Sequence, residues 1–136
     1  VKLMIALEMI GYYDSTPGSQ DYPSPAMSWL YPDRGDFIAV VGRMQDINAV
    51  RQVKAALLSS RDLSVYSMNA PGFIPGIDFS DHLNYWQHDI PAVMITDTAF
   101  YRNKQYHLSG DIADRLNYQK MAQVVDGVTT LLYNSK

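Results

Sequence analysis

Apolar positions in this chain fall into short unbroken runs set between polar loops, and only later into helical spacing. Residues 2–8 open with such a run, Leu3-Met4-Ile5-Ala6-Leu7, closed by Glu8. Runs of this length without alternation predict a strand covered on both faces. Residues 36–41, 63–68 and 91–95 predict three further strands. Between them, Ile47, Val50, Val53, Leu57 and Leu58 recur on one helical face, with Asp46 placed as the N-cap. Ser80 is expected to cap a short helix running to His88, with Leu83 and Trp86 turned inward. The last helix is predicted over residues 118–133, where Met121, Val124, Val125, Val128, Leu131 and Leu132 keep helical spacing. Gly127 inside that helix costs about 1 kcal/mol against alanine, which implies close packing on a neighbour. Strands alternating with helices predict a three-layer α/β sandwich on a mostly parallel or mixed sheet.

Two loops interrupt this rhythm. Residues 11–35 hold Pro17, Pro23, Pro25 and Pro32 together with Tyr12, Tyr13, Tyr22, Trp29 and Tyr31. Loops beyond about 12–15 residues are usually functional or disordered, and the aromatic content argues for a packed one. Residues 69–76 form the second, with Pro71, Gly72, Pro75 and Gly76 as breakers. The chain has no internal repeat.

Composition narrows the options. At 136 residues the chain is one domain or part of one, and a chain of this size buries roughly two-thirds of its unfolded surface. Net charge of −3 gives no sign of a nucleic-acid or anionic-membrane partner. Cysteine is absent, which removes thiolate ligands and cysteine nucleophiles. No apolar run approaches the ~18–20 residues of a membrane span. Val1-Lys2 before an apolar run has the look of a signal peptide, but Glu8 interrupts it and no small-residue cleavage site follows. Entry straight into a core strand without Met is instead expected of a fragment whose neighbouring strands lie upstream.

In open α/β sheets, ligands bind beyond the carboxyl ends of strands. Glu8 lies at one such end; Thr96, Asp97 and Thr98 lie at another. The next loop carries Tyr106, His107 and Asp111, and Ser80-Asp81-His82 opens the helix just before the last strand. Each residue also has an ordinary reading. Glu8 serves equally as an exposed strand-end carboxylate, and Asp81 as a partner of a helix dipole. His82 and His88 fit half-buried helix positions, His107 a loop position, and Asp111 and Asp114 a helix start. Ser80-Asp81-His82 is not a hydrolase triad, because residues one or two apart on a helical turn do not face each other. There is no G-x-S-x-G elbow, phosphate loop, dinucleotide fingerprint, EF-hand or H-E-x-x-H. Histidine and carboxylates without thiolate suit zinc or another divalent metal.

Four motifs in order carry a family resemblance: Leu7-Glu8-Met9-Ile10-Gly11, Ser80-Asp81-His82 with Tyr85 or Trp86 after it, Ile90-Pro91-Ala92-Val93, and Tyr106-His107 with Asp111. Together with the final helix they resemble the C-terminal half of the catalytic domain of zinc aminopeptidases of metallopeptidase family twenty-eight. The resemblance covers nearly the whole chain, so that residues 1–136 would be the C-terminal part of one partial zinc-exopeptidase-like domain. It implies that Glu8 ends the ligand set of one zinc, where many members carry aspartate, and that His107 ends the set of a second. It implies that Tyr106 donates to the scissile carbonyl as an oxyanion forms, and that Asp81 and His82 orient ligands from behind. Asp111 would support His107 or cap the following turn. Thr96, Asp97 and Thr98, with parts of the 11–35 loop, would line a side-chain pocket.

The family's upstream His-x-Asp and Glu-Glu pair, which bridge the metals and supply the general base, have no match in this chain. The resemblance therefore implies a two-zinc aminopeptidase as the intact parent, acting on peptides with a free N-terminus, and an inactive chain on its own. Two readings stand beside it: a glutaminyl-cyclase-like zinc acyltransferase, and a non-catalytic binding module on the same fold. The family leans toward a secreted or periplasmic location. Loss of the upstream strand would leave an apolar sheet edge, so self-association is a further expectation.

Overall fold

The computed structural model of the protein describes residues 1–71, 74, 77 and 79–134. Four strands and three helices follow in the order β1 (Met4–Glu8), β2 (Ile38–Gly42), α1 (Ile47–Leu57), β3 (Val65–Asn69), α2 (His82–Trp86), β4 (Ala92–Thr96) and α3 (Tyr118–Asn134). Short 3-10 turns stand at Pro25–Trp29, Met44–Asp46, Ala99–Tyr101 and Ala113–Arg115. The fold is α/β, and each strand starts one or two residues later than its apolar run predicts. The breakers Gly72, Pro75 and Gly76 lie outside the described residues.

The sheet runs in the order β1-β4-β2-β3. Pairs β1–β4 and β2–β3 are parallel, while β4 and β2 are antiparallel. This mixed topology decides where a site can form. The carboxyl ends of β1 and β4 meet at one rim, with Glu8 registered against Thr96. Ala39, near the start of β2, is paired to the same Thr96.

Side-chain alternation then divides the core. Ile38, Val40, Val93 and Ile95 face α1 and α3, packing with Val50, Val53, Leu57, Val124 and Leu131. Ala39, Val41, Ala92 and Met94 face the opposite layer, with Phe37, Ile77 and Trp86. Glu8 and Thr96 share the parity of this second face. β2 and β4 are buried at every position, as unbroken apolar strands demand.

Three expectations are corrected. β1 is not a doubly covered central strand: it is an edge of the described sheet, and Leu7 is exposed. Asp46 does not cap α1 with its side chain, because its carboxylate is taken by Arg43 Nε at 2.8 Å. Ser80 does not cap α2, which begins two residues later; its hydroxyl is drawn to Glu8. Asp46 is claimed by a side chain three residues before it, and Ser80 by one far off in sequence.

Gly127 does sit where a neighbour comes close. A Cβ there would stand 2.8 Å from Leu57 Cδ2 and 2.9 Å from Leu57 Cα. The second atom is backbone, so α1 itself would have to move. Gly127→Ala should therefore destabilise the protein by about 1–3 kcal/mol, despite the ~1 kcal/mol it gains in helix propensity. Urea unfolding reads this directly, and a stabilised variant would refute the close approach.

Candidate active site

The rim at the ends of β1 and β4 is built on bent backbone. Met9, Thr98, Ala99 and His107 all adopt positive φ, at 49°, 77°, 48° and 58°. A β-branched residue such as Thr98 rarely does so, and such strain persists only where the surroundings enforce it. Here they do. Thr98 N donates to Thr96 Oγ1 at 3.0 Å, and Thr98 Oγ1 accepts from Gln20 Nε2 at 2.9 Å. Ala99 N donates to Asp97 Oδ1 at 3.0 Å.

Asp97 is the tie between the two rim loops. Its Oδ2 accepts from Gly11 N at 3.1 Å and Tyr12 N at 2.7 Å, while its own N–H donates to Met9 O at 2.6 Å. The loop after β1 is thus stapled to the loop after β4. Burial pushes the Asp97 carboxyl up to about 6, against the pull of these N–H groups and of Arg102. A raised carboxyl favours its protonated form in the folded state. Its contribution to stability is therefore largest below about pH 4 and is lost as pH rises through about 6. Measured against Asp97→Asn, the protein should lose on the order of 2–3 kcal/mol of relative stability between pH 4 and 7. A difference that stays flat over that range would return Asp97 to an ordinary carboxyl.

Arg102, also buried, locks the 11–35 loop beneath the rim. Its Nε donates to Gln20 Oε1 at 2.8 Å, and its Nη1 to Phe37 O at 2.8 Å and Tyr12 O at 3.0 Å. The guanidinium lies 4.6 Å from the Phe37 ring centre. Gly35 makes room for it, since a Cβ there would fall 2.6 Å from Arg102 Cδ.

The sequence candidates separate into two groups. Glu8, Thr96, Thr98 and Tyr106 line one cavity of about 130 Å³ on the second face of the sheet. His107 does not line the cavity and is exposed, but its ring stacks on Tyr106 with centres 3.9 Å apart and planes 16° from parallel. Asp111 holds this turn, accepting from His107 N at 3.1 Å and Asn103 Nδ2 at 2.8 Å. Glu8 is half-buried, and its Oε1 accepts from Ser80 Oγ at 2.7 Å.

The others stand apart. Asp97 does not line this cavity, because its carboxylate faces the backbone N–H groups beneath it. His82 is fully buried; its Nε2 lies 2.5 Å from Ile77 O and its ring meets Trp86 edge-on at 4.5 Å. It braces the core below the rim. Asp81 is exposed on the leading turn of α2 and makes no side-chain cap. Among the described residues, no three His, Asp or Glu side chains cluster closely enough to hold a metal by themselves. Sequence reasoning missed Ser80 as Glu8's partner and the whole Gln20–Arg102 lock.

No known protein family's sequence profile matches the chain. Over its full length it is 93% identical to the uncharacterized protein YfbL of Escherichia coli (strain K12), of which it spans 42%. Among solved structures it is similar to two of LapA from Legionella pneumophila, an aminopeptidase, with TM-scores of 0.63 and 0.66 at 20% identity. Those matches cover 97% and 96% of this chain and 31% of each LapA chain. LapB from the same organism gives a TM-score of 0.67 at 16% identity, covering 98% of this chain and 31% of LapB. The mixed α/β fold is thus similar to part of the LapA and LapB structures. Among the described residues, no helix is long and apolar enough to cross a membrane.

Proposed function

We propose that this chain is the part of a zinc-dependent aminopeptidase that carries one terminal ligand for each of two metal ions, Glu8 and His107, and the oxyanion donor Tyr106. The observation behind this reading is the shared cavity: Glu8 and Tyr106 line it together, and His107 stacks on Tyr106. The donor chemistry fits zinc, which takes carboxylate oxygen and imidazole nitrogen. Ser80 occupies one lobe of Glu8 Oε1 and fixes the carboxylate, as outer-shell donors do for metal ligands. Asp111 plays the equivalent part for the His107 turn through its backbone N–H. The number of donors is short of a complete set, so the remaining ligands and the general base come from elsewhere in a longer protein.

When bound, zinc supplies Lewis acidity and lowers the pKa of water. This chain's own groups do the rest that can be assigned to it. Tyr106 Oη donates to the carbonyl oxygen of the scissile bond as negative charge develops there. Glu8 and His107 keep their positions because Ser80 and Asp111 hold them. The bent rim of Met9, Thr98 and Ala99 brings the substrate's backbone near these groups. The substrate is a peptide with a free N-terminus.

The test is made on the full-length relative that contains this segment. It should bind about two zinc ions and hydrolyse an aminoacyl anilide to the amino acid and the free arylamine, and the 136-residue chain alone should do neither. Activity that survives complete metal removal would overturn the ligand assignment. Ring closure of an N-terminal glutamine peptide in place of hydrolysis would favour a glutaminyl cyclase.

A further inference from the structure

The cavity beneath Glu8 and Tyr106 has a wall that the ligand assignment does not use. The 11–35 loop folds back over the sheet and lays Tyr22, Met27 and Tyr31 against Phe37, Tyr66 and Met94. Tyr31 sits 5.9 Å from the Tyr22 ring and 6.1 Å, edge-on, from Tyr66, which in turn meets Phe37 at 5.1 Å. The hydroxyls that would make this wall polar are spent on backbone: Tyr22 Oη donates to Pro32 O at 2.6 Å and Tyr31 Oη to Ser67 O at 3.1 Å. Burial pushes both phenols upward, Tyr22 to about 12, so neither ionises near neutral pH. Ring faces and thioethers are left to line the space.

We propose that this cavity selects a peptide whose N-terminal side chain is aromatic or long, unbranched and apolar, and that Tyr31 and Ala39 are its specificity-determining residues. The proposal rests on the aminopeptidase reading and names its substrate class. Three observations carry it. The volume of about 130 Å³ is close to the ~150 Å³ of apolar protein cavities that take up benzene. Among the described lining residues the only charged side chain is Glu8. A glutamate side chain would be buried against a like charge, and a lysine or arginine would find only Glu8, which the aminopeptidase reading commits to a metal ion, so both are strongly unfavourable. The floor is also set by one small residue: Ala39 on β2 lines the cavity between Phe37 and Val41. A larger side chain there would fill the volume from below, while Tyr31 closes it from the loop.

The experiment compares kcat/KM of the full-length protein on phenylalanyl, methionyl, alanyl, lysyl and glutamyl anilides. Phenylalanyl and methionyl substrates should exceed alanyl by at least tenfold, and lysyl and glutamyl by a hundredfold. Ala39→Leu should reverse the phenylalanyl-to-alanyl preference. Tyr31→Ala, placed on a loop, should raise KM for the phenylalanyl substrate severalfold more than for the alanyl one. A preference for lysyl or glutamyl substrates, or an unchanged ratio in both variants, overturns the proposal.

A second arm separates this failure from failure of the aminopeptidase reading. The methyl groups of Met27, Met68 and Met94 all line the cavity and report by NMR on phenylalaninamide and lysinamide. Shifts with phenylalaninamide alone support an aromatic-selective cavity even if no anilide is hydrolysed. Shifts with neither, or with both alike, overturn it whether or not the protein is a peptidase.

Discussion

Glu8→Ala and His107→Ala should each lower aminopeptidase activity of the full-length protein by more than a hundredfold. The scale follows from the layering of the site. Removing an outer-shell partner of a metal ligand costs about 10–100-fold, and removing the ligand itself must cost more. Ser80→Ala tests the lower tier, because Ser80 reaches the reaction only through its 2.7 Å bond to Glu8. It should fall within that 10–100-fold range and weaken metal retention with it. Tyr106→Phe tests a different role. It keeps the ring that stacks on His107 and removes only the donor, so kcat should drop by about 10²–10³ while zinc content stays constant. The four variants thus separate by readout: metal lost in two, loosened in one, untouched in the fourth. Near-normal turnover in Glu8→Ala or His107→Ala would end the ligand assignment.

The sequence carried much of this fold because its central strands are extreme. Residues 38–42 and 92–96 are buried throughout, and unbroken apolar runs state that directly. The exposure of Leu7 on β1 was not legible, since Met4, Ile5, Ala6 and Leu7 read as a strand covered on both faces. Coverage comes from partners distant in sequence, which periodicity does not encode. Helix caps failed because other side chains compete for them. Asp46 and Ser80 are good caps by residue type, but Arg43 and Glu8 claim their side chains in the folded chain.

Within the site, the strand-end rule placed Glu8 beside Thr96, and the parallel register brings those two ends level. The aromatic density of residues 11–35 announced a packed loop, which holds for Tyr13, Tyr22 and Tyr31 but not for Trp29, which is exposed. That Tyr22 and Tyr31 would turn their hydroxyls into backbone and their faces into a cavity was not readable. Nor was the role of Arg102. An arginine in a run such as Phe100-Tyr101-Arg102-Asn103 signals a surface position, since arginine is rarely buried without a partner. Its acceptors lie 65 to 90 residues away and are mostly carbonyl oxygens. No pattern in side-chain type marks them.

Arg102→Met should destabilise the protein by about 3 kcal/mol or more and release the 11–35 loop ahead of global unfolding. Methionine matches the aliphatic stem but removes the donor to Phe37 O, Tyr12 O and Gln20 Oε1, of which Gln20 Oε1 keeps Thr98 Oγ1 at 3.2 Å, and each buried group left unsatisfied costs about 1–3 kcal/mol. Arg102→Lys should recover little, because an ammonium lacks the planar fork that reaches three acceptors at once. The loop offers its own reporters. Asp14 N bonds Gly35 O, Gln20 N bonds Asp33 O, and Asp21 N bonds Tyr101 O. Hydrogen exchange at these three amides should accelerate in Arg102→Met more than exchange in β2 and β4. Uniform acceleration would make Arg102 a general core residue, and unchanged exchange would remove it as a lock. Because Tyr22 and Tyr31 ride on that loop, local release would also cost the cavity its wall. Phenylalanyl substrates should then lose more than alanyl ones, which ties the stability of a buried cation to the selectivity of the rim above it.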